Sequence, residues 1–230
     1  HYAKDVIALA DHLGFERFIF VGHSMGGAAG LELALMFPEY LHRLILIAPV
    51  PSFGLRNAPN IDKYHAHERQ DRLDFVADPE QTMKRLLQEH EQNAVRQIPH
   101  EEVESLMHNY VTCSDGHFEG SWESILQLNY TRHNLRSIKT PTLMMAAQCD
   151  LLLQSNLADY QALGNAALSV FHQAGHSIQR ELPAQVAAIL SDFVVHGTKH
   201  PPSLSERIVH PDGEDVSSPS PNTTEPAKLP

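Results

Sequence analysis

Three residues far apart in this sequence have side chains suited to one piece of chemistry: Ser24, Asp150 and His176. Ser24 sits in Gly22-His23-Ser24-Met25-Gly26, followed by Gly27 and Ala28. A serine at the tip of a tight strand-to-helix turn is held in strained backbone geometry with its hydroxyl exposed. Helix and strand approach closely there, so neighbouring positions must be slim. Gly22 and Gly26 answer that need, and Gly27 and Ala28 keep the first helical turn narrow. The Met25 N–H, at the helix N-terminus, points at any oxyanion formed beside Ser24. A serine hydroxyl is a poor nucleophile without a base. His176 would take its proton, and Asp150 would fix the imidazole tautomer and stabilise the imidazolium. No cofactor is implied, because these side chains transfer their own proton.

The elements that must position them can be read around them. Residues 15–21 (FERFIFV) are aromatic and β-branched and end at a glycine, so they predict a buried strand. Residues 28–37 have helical composition and stop at Pro38; residues 41–48 form a second, nearly continuous apolar strand. Further strands are predicted at 142–147 and 167–172, with helices at 155–163 and 185–194. Ahead of all these, residues 1–13 predict a helix with Val6, Ala10 and Leu13 on one face and Gly14 as its stop. Residues 52–137 are polar and helical, with helices expected at 79–97, 101–111 and 121–130 and no convincing strand. The alternation predicts an α/β fold: a mostly parallel sheet flanked by helices, with an inserted helical unit. Core segments fall at 1–51 and 138–197, the insertion at 52–137, and a Pro-rich tail at 198–230 that cannot bury enough apolar surface to order itself. Ser24, Asp150 and His176 each follow a strand at its carboxyl end, the edge where reacting groups collect in open α/β sheets.

Three segments, FIFVGHSMGG (18–27), PTLMMAAQCD (141–150) and AGHSIQRELP (174–183), resemble the α/β-hydrolase superfamily. The resemblance is to its esterase/lipase-like and C–C hydrolase-like branch with a helical cap, and it spans roughly residues 1–197. It implies that residues 52–137 form a cap over the pocket, and that a small-molecule ester or acyl substrate is cleaved through an acyl-enzyme. Serine at the nucleophile position argues against epoxide hydrolases and haloalkane dehalogenases, which place Asp there. Two further readings stand beside ester hydrolysis. One is C–C, thioester, lactone or amide cleavage on the same residues; C–C hydrolases of the meta-cleavage type usually carry Asn where His23 stands. The other is a non-enzymatic remnant of the fold. One departure matters: the family's sheet begins with four strands before the nucleophile strand, and an early loop there gives a second oxyanion N–H. Lacking one such donor costs roughly 2.7–4 kcal/mol of transition-state stabilisation. On this reading the chain is an N-terminally truncated hydrolase, with residues 15–21 as an unprotected edge and little stability or activity of its own.

Other residues read more plainly. His23 reads as a spacer, with a packing or hydrogen-bonding role as the alternative, His172 as a strand-face residue, and His117 as a solvated loop residue. Asp115 and Asp192 follow no core strand and are weaker acids than Asp150. His65, His67 and Glu68 read as a solvated loop rather than a metal site. Phe53, Tyr110, Phe118 and Trp122 either line a pocket or pack the cap. Cys149 reads as a buried reduced thiol, and its spacing from Cys113 fits neither a zinc clip nor a redox pair. The net charge of −11 offers no footprint for a nucleic-acid backbone, and the longest apolar run, 44–50, is too short to span a bilayer. Sequons at Asn129 and Asn222 have no visible signal peptide to serve them; the location stays open, with the cytoplasm slightly favoured. Nothing in the sequence sets the oligomeric state.

Overall fold

In the computed structural model, which describes residues 2–198, four strands pair in chain order and all run parallel. They are β1 (Phe18–His23), β2 (Leu41–Ile47), β3 (Thr142–Ala147) and β4 (Ala166–Phe171). The side-chain period of two sorts the central apolar runs onto opposite faces. Leu44, Leu46 and Met144 pack on one face with Ile7 of α1 (Tyr2–Leu13) and Leu31 of α2 (Met25–Met36). Ile45, Ile47, Leu143 and Met145 pack on the other with Ile178 of α9 (Ile178–Glu181) and Phe193 of α10 (Pro183–His196). Every residue of β3 is buried, as expected for a strand covered on both sides. Each such Leu, Ile or Met contributes roughly 1.5–3 kcal/mol by leaving water.

Between β2 and β3 lie five helices and no strand: α3 (Ile61–Ala77), α4 (Pro79–Asn93), α5 (His100–Thr112), α6 (Asp115–Gln127) and α7 (Arg132–Ser137). Their starts follow from capping chemistry. Asp78 accepts from Gln81 N ahead of α4, Ser114 accepts from His117 N, and Thr131 closes a capping box with Asn134. α8 (Leu153–Ala162) links β3 to β4.

Several boundaries differ from expectation for identifiable reasons. β1 starts at Phe18, because Phe15 N closes the end of α1 on Ala10 O and the chain must first turn. α2 begins at Met25, directly after Ser24, so the strand-to-helix turn narrows to Ser24 itself. α1 buries Ala3, Ile7 and Ala10 and leaves Leu9 and Leu13 exposed. Two apolar stripes compete on that helix, and small Ala3 and Ala10 allow the closer approach. β1 is an edge strand of the described sheet, with Ile19 and Val21 exposed. Apart from Thr198, the expected unordered tail lies outside the described residues, as does the Asn222 sequon.

Candidate active site

Ser24 lies between the last residue of β1 and the first of α2, at φ +53° and ψ −117°. For a residue with a Cβ this is a strained conformation, costing roughly 1–3 kcal/mol. Surrounding bonds hold it there. Ser24 N donates to Ile47 O at 3.0 Å, and Ser24 O accepts from Gly27 N and Val50 N, each at 2.9 Å. A Cβ built on Gly22 would lie 2.2 Å from Gly26 O, and one on Gly27 would lie 2.5 Å from Pro49 Cβ. A Cβ on Gly26 meets nothing within 4 Å among the described residues. The clearance expected of Gly22 and Gly26 is therefore required at Gly22 and Gly27. Met25 is the first residue of α2, so its N–H has no partner within that helix.

Asp150 and His176 meet at the same carboxyl edge. His176 Nδ1 lies 2.9 Å from Asp150 Oδ2. An ionised carboxylate only accepts, so Nδ1 carries the proton and Nε2 keeps its lone pair. The Asp150 side chain is 4% exposed and that of His176 39%. The second oxygen, Oδ1, accepts from Leu152 N at 3.0 Å, which fixes the carboxylate plane. The 174–177 turn is fixed in turn by Glu181, whose Oε2 accepts from Gly175 N at 2.8 Å. No hydrogen bond joins Ser24 Oγ to His176 among the described residues; such contacts often form only with substrate bound.

His23 is no spacer. Its Nε2 lies 2.9 Å from His176 O, and because a carbonyl only accepts, Nε2–H is the donor. Its ring packs 4.8 Å from the His176 ring. Burial, then the neighbouring His176, push its pKa down to about 4. A neutral imidazole thus ties the His176 backbone to the Ser24 turn. His172 lies just past β4 rather than on it, with Nδ1 2.6 Å from Gln148 Oε1.

Other expected positions resolve differently. Cys149 is exposed, because the turn after β3 lifts it out of the sheet, and both cysteines are free. His65, His67 and Glu68 lie on α3, not in a loop; the His65 ring sits 4.7 Å from that of Trp122 and 5.4 Å from that of Phe118. Phe118 and Trp122 are buried, with the Trp122 Nε1–H donating to Glu68, whereas Phe53 is exposed. His117 lies on α6 against the Tyr2 ring. Asp115 pairs with Arg72 and Asp192 with His196, so neither joins the Asp150–His176 edge. Glu181, Asn156 and Asp159 escape sequence reasoning, because each acts on loop backbone rather than through periodicity.

The segment from β2 to β3 approaches this edge. Arg96 Nε donates to Gln173 O at 2.7 Å, and Arg180 pairs with Glu102 of α5 at 3.3 Å. Two open clefts of about 320 and 250 Å³ lie among α3–α6, and neither is lined by Ser24, Asp150 or His176.

Comparison with known proteins agrees with this architecture. The chain is 29% identical over 206 residues to the 2-hydroxy-6-oxo-6-phenylhexa-2,4-dienoate hydrolase of Comamonas testosteroni, covering 84% of this chain and 68% of that protein. It is 27% identical to a Pseudomonas savastanoi pv. phaseolicola protein carrying the name of a carbamate hydrolase, RutD, covering 84% and 74%. Among solved structures, a hydrolase from Pseudomonas aeruginosa PA01 shares the fold at a TM-score of 0.66 and 24% identity, covering 84% of this chain and 70% of that one. The alpha/beta hydrolase fold family matches residues 1–182, and with strand order, turn and sheet edge in agreement, this chain belongs to that family of hydrolase-fold proteins.

Proposed function

We propose that the chain is a serine hydrolase that cleaves a carboxylic ester of a small molecule through an acyl-enzyme. The observation that carries this is the buried Asp150 carboxylate at 2.9 Å from His176 Nδ1, on the sheet edge that also presents the strained Ser24 turn. Ser24 Oγ attacks the ester carbonyl carbon while His176 Nε2 takes its proton. Asp150 holds the Nδ1–H tautomer and stabilises the imidazolium. The Met25 N–H, at the positive end of α2, donates to the developing oxyanion. Collapse expels the alcohol, protonated by His176. Water then attacks the acyl carbon with His176 again as base, and collapse breaks the bond to Ser24 Oγ, which His176 reprotonates as the carboxylic acid leaves. No cofactor takes part in these steps. Residues 52–137 serve as the cap, with Arg96 and Glu102 bringing it onto the His176 turn.

A second reading, C–C bond hydrolysis on the same residues, draws support from the dienoate hydrolase relative. Two measurements decide. A fluorophosphonate probe labels the parent at Ser24 and leaves Ser24→Ala unlabelled; an unlabelled parent overturns the serine-hydrolase reading and leaves a non-enzymatic remnant. Turnover of p-nitrophenyl esters in preference to a vinylogous diketone supports ester cleavage, and the reverse preference replaces it with C–C cleavage.

A further inference from the structure

α8 serves both halves of this site. Its start is bonded to the acid: Leu152 N donates to Asp150 Oδ1 at 3.0 Å, and Leu153 N to Asp150 O at 3.2 Å. Its middle reaches across to the segment after β2. Asn156 Nδ2 donates to Pro49 O at 2.8 Å, and the Asp159 carboxylate accepts from both Ser52 N and Ser52 Oγ, each at 2.7 Å. Ser52, Asn156 and Asp159 are all buried. Within residues 49–51 the two prolines have no N–H, so Val50 holds the single main-chain donor. That donor goes to Ser24 O at 2.9 Å. The strained Ser24 backbone is thus held partly from outside its own turn, by a segment that α8 grips on either side of Val50.

We propose that Asn156 and Asp159 are positioning residues, clamping residues 49–52 to α8 so that Val50 N–H holds the Ser24 turn in register with the Asp150–His176 pair. The proposal rests on Ser24 being the nucleophile and adds what keeps it in place. Two features set this cluster apart from ordinary core packing. Among the described residues Asn156 Oδ1 is buried without a partner, so the amide's role lies in the bond from its other end to Pro49 O. Asp159 is a buried carboxyl whose pKa is raised by burial, and the two Ser52 bonds offset only part of that rise. Arg132 is the cation whose field reaches it.

The test compares Asp159→Leu, Asp159→Asn and Asn156→Leu in the whole chain. The readouts are the rate of Ser24 labelling by a fluorophosphonate, the melting temperature, and hydrogen exchange at the Val50 amide. Asp159→Leu removes both Ser52 bonds; the labelling rate falls about 100-fold, the loss typical of an ångström-scale misplacement, and Val50 exchanges faster. Asp159→Asn can still accept from Ser52 N and donate to Ser52 Oγ, so it recovers most of the rate. Asn156→Leu removes the orphaned acceptor together with the Pro49 bond. It keeps the parent's melting temperature but labels more slowly, a divergence that a purely structural role would not produce. Parent rates and parent Val50 protection in both leucine variants overturn the proposal, and if Asp159→Leu does not fold, Asn156→Leu alone decides. A parent that is not labelled at Ser24 removes the nucleophile reading instead. Val50 exchange then still decides the clamp, with faster exchange in the variants supporting it and unchanged exchange overturning it.

Discussion

The carboxyl edge of the sheet and the helices between β2 and β3 both bury charge, and they use it in different ways. At the edge, buried polar side chains bond to main chain: Asp159 to Ser52 N, Asn156 to Pro49 O, Asp150 to Leu152 N. Residues 48–52 there are buried away from water, so side-chain bonds satisfy and fix their main chain. Among the helices, charge joins element to element. Asp71 of α3 pairs with Arg85 of α4 at 2.8 Å, and Arg72 reaches Tyr110 O and Cys113 O at the end of α5. The described residues of α3 that are buried are Asp71 and Arg72, with no apolar side chain among them. One region spends polar groups on fixing the loops at the sheet edge, the other on replacing an apolar stripe.

The largest expected effect lies at the edge. Gly22→Ala places a Cβ 2.2 Å from a backbone oxygen, which no side-chain rotation relieves. The Ser24 turn must open, destabilising the chain by about 3 kcal/mol or more. Fluorophosphonate labelling of the variant is expected to be lost along with that stability, read from urea unfolding. A Gly22→Ala chain that labels at the parent's rate would show that the turn tolerates a different shape.

Next in size is the contrast with the helical region. Arg72→Met keeps the stem of a buried side chain but strips donors from the carbonyls of Tyr110, Val111 and Cys113. Leaving such acceptors unpaired costs about 1–3 kcal/mol each. The exposed Asp115 partner adds little, being in water. The urea midpoint is expected to fall clearly while Ser24 labelling under native conditions holds. Labelling that collapses together with the midpoint would break the distinction between the two regions.

This difference also sets what could be read from sequence. The residues 142–147 strand appears in place as β3, because a run buried on both faces needs only continuous apolarity. Asp150 could be placed past a strand end for the same reason, whereas Ser24 and His176 follow β1 and β4, less buried strands legible from their apolar and β-branched runs. α3 went unrecognised because periodicity seeks an apolar stripe, and its buried positions are Asp71 and Arg72. Ser52, Asn156 and Asp159 carry no local signal at all; their partners lie about a hundred residues away, and two of the three bonds run to main-chain atoms. His23 was legible as a neighbour of Ser24 but not as a donor to His176 O, a bond that depends on how two loops meet.

That bond gives a smaller, pH-dependent effect. His23 stays neutral in the folded chain down to about pH 4, against an ordinary value of 6.5. Between these values the unfolded chain binds a proton that the folded chain refuses. Stability is therefore full above pH 6.5, falls as pH drops toward 4, and levels off below. The loss is on the order of 2–3 kcal/mol, reduced by whatever solvent still reaches the ring. Carboxylates titrate in the same window, so the comparison is with His23→Asn, which keeps a donor and does not titrate. Urea unfolding at pH 7 and 4.5 is expected to show a larger drop for the parent than for the variant. Equal drops would mean that the ring is not held neutral.

The smallest effect separates two glycines of one turn. Gly26 has open space where a Cβ would go, among the described residues, and lies in the first turn of α2 without a positive φ. Alanine loses less backbone freedom on folding than glycine does, so Gly26→Ala is expected to stabilise the chain by about 0.4–1 kcal/mol. Met25 N–H keeps its direction, since the helix start is unchanged, and Ser24 labelling should stay at the parent's rate. Gly22→Ala and Gly26→Ala then move in opposite directions although both alter the same motif. If Gly26→Ala instead lowers stability or slows labelling, the turn needs the open space at Gly26. The clearance on that side of the Ser24 turn would then be as strict as the clearance at Gly22.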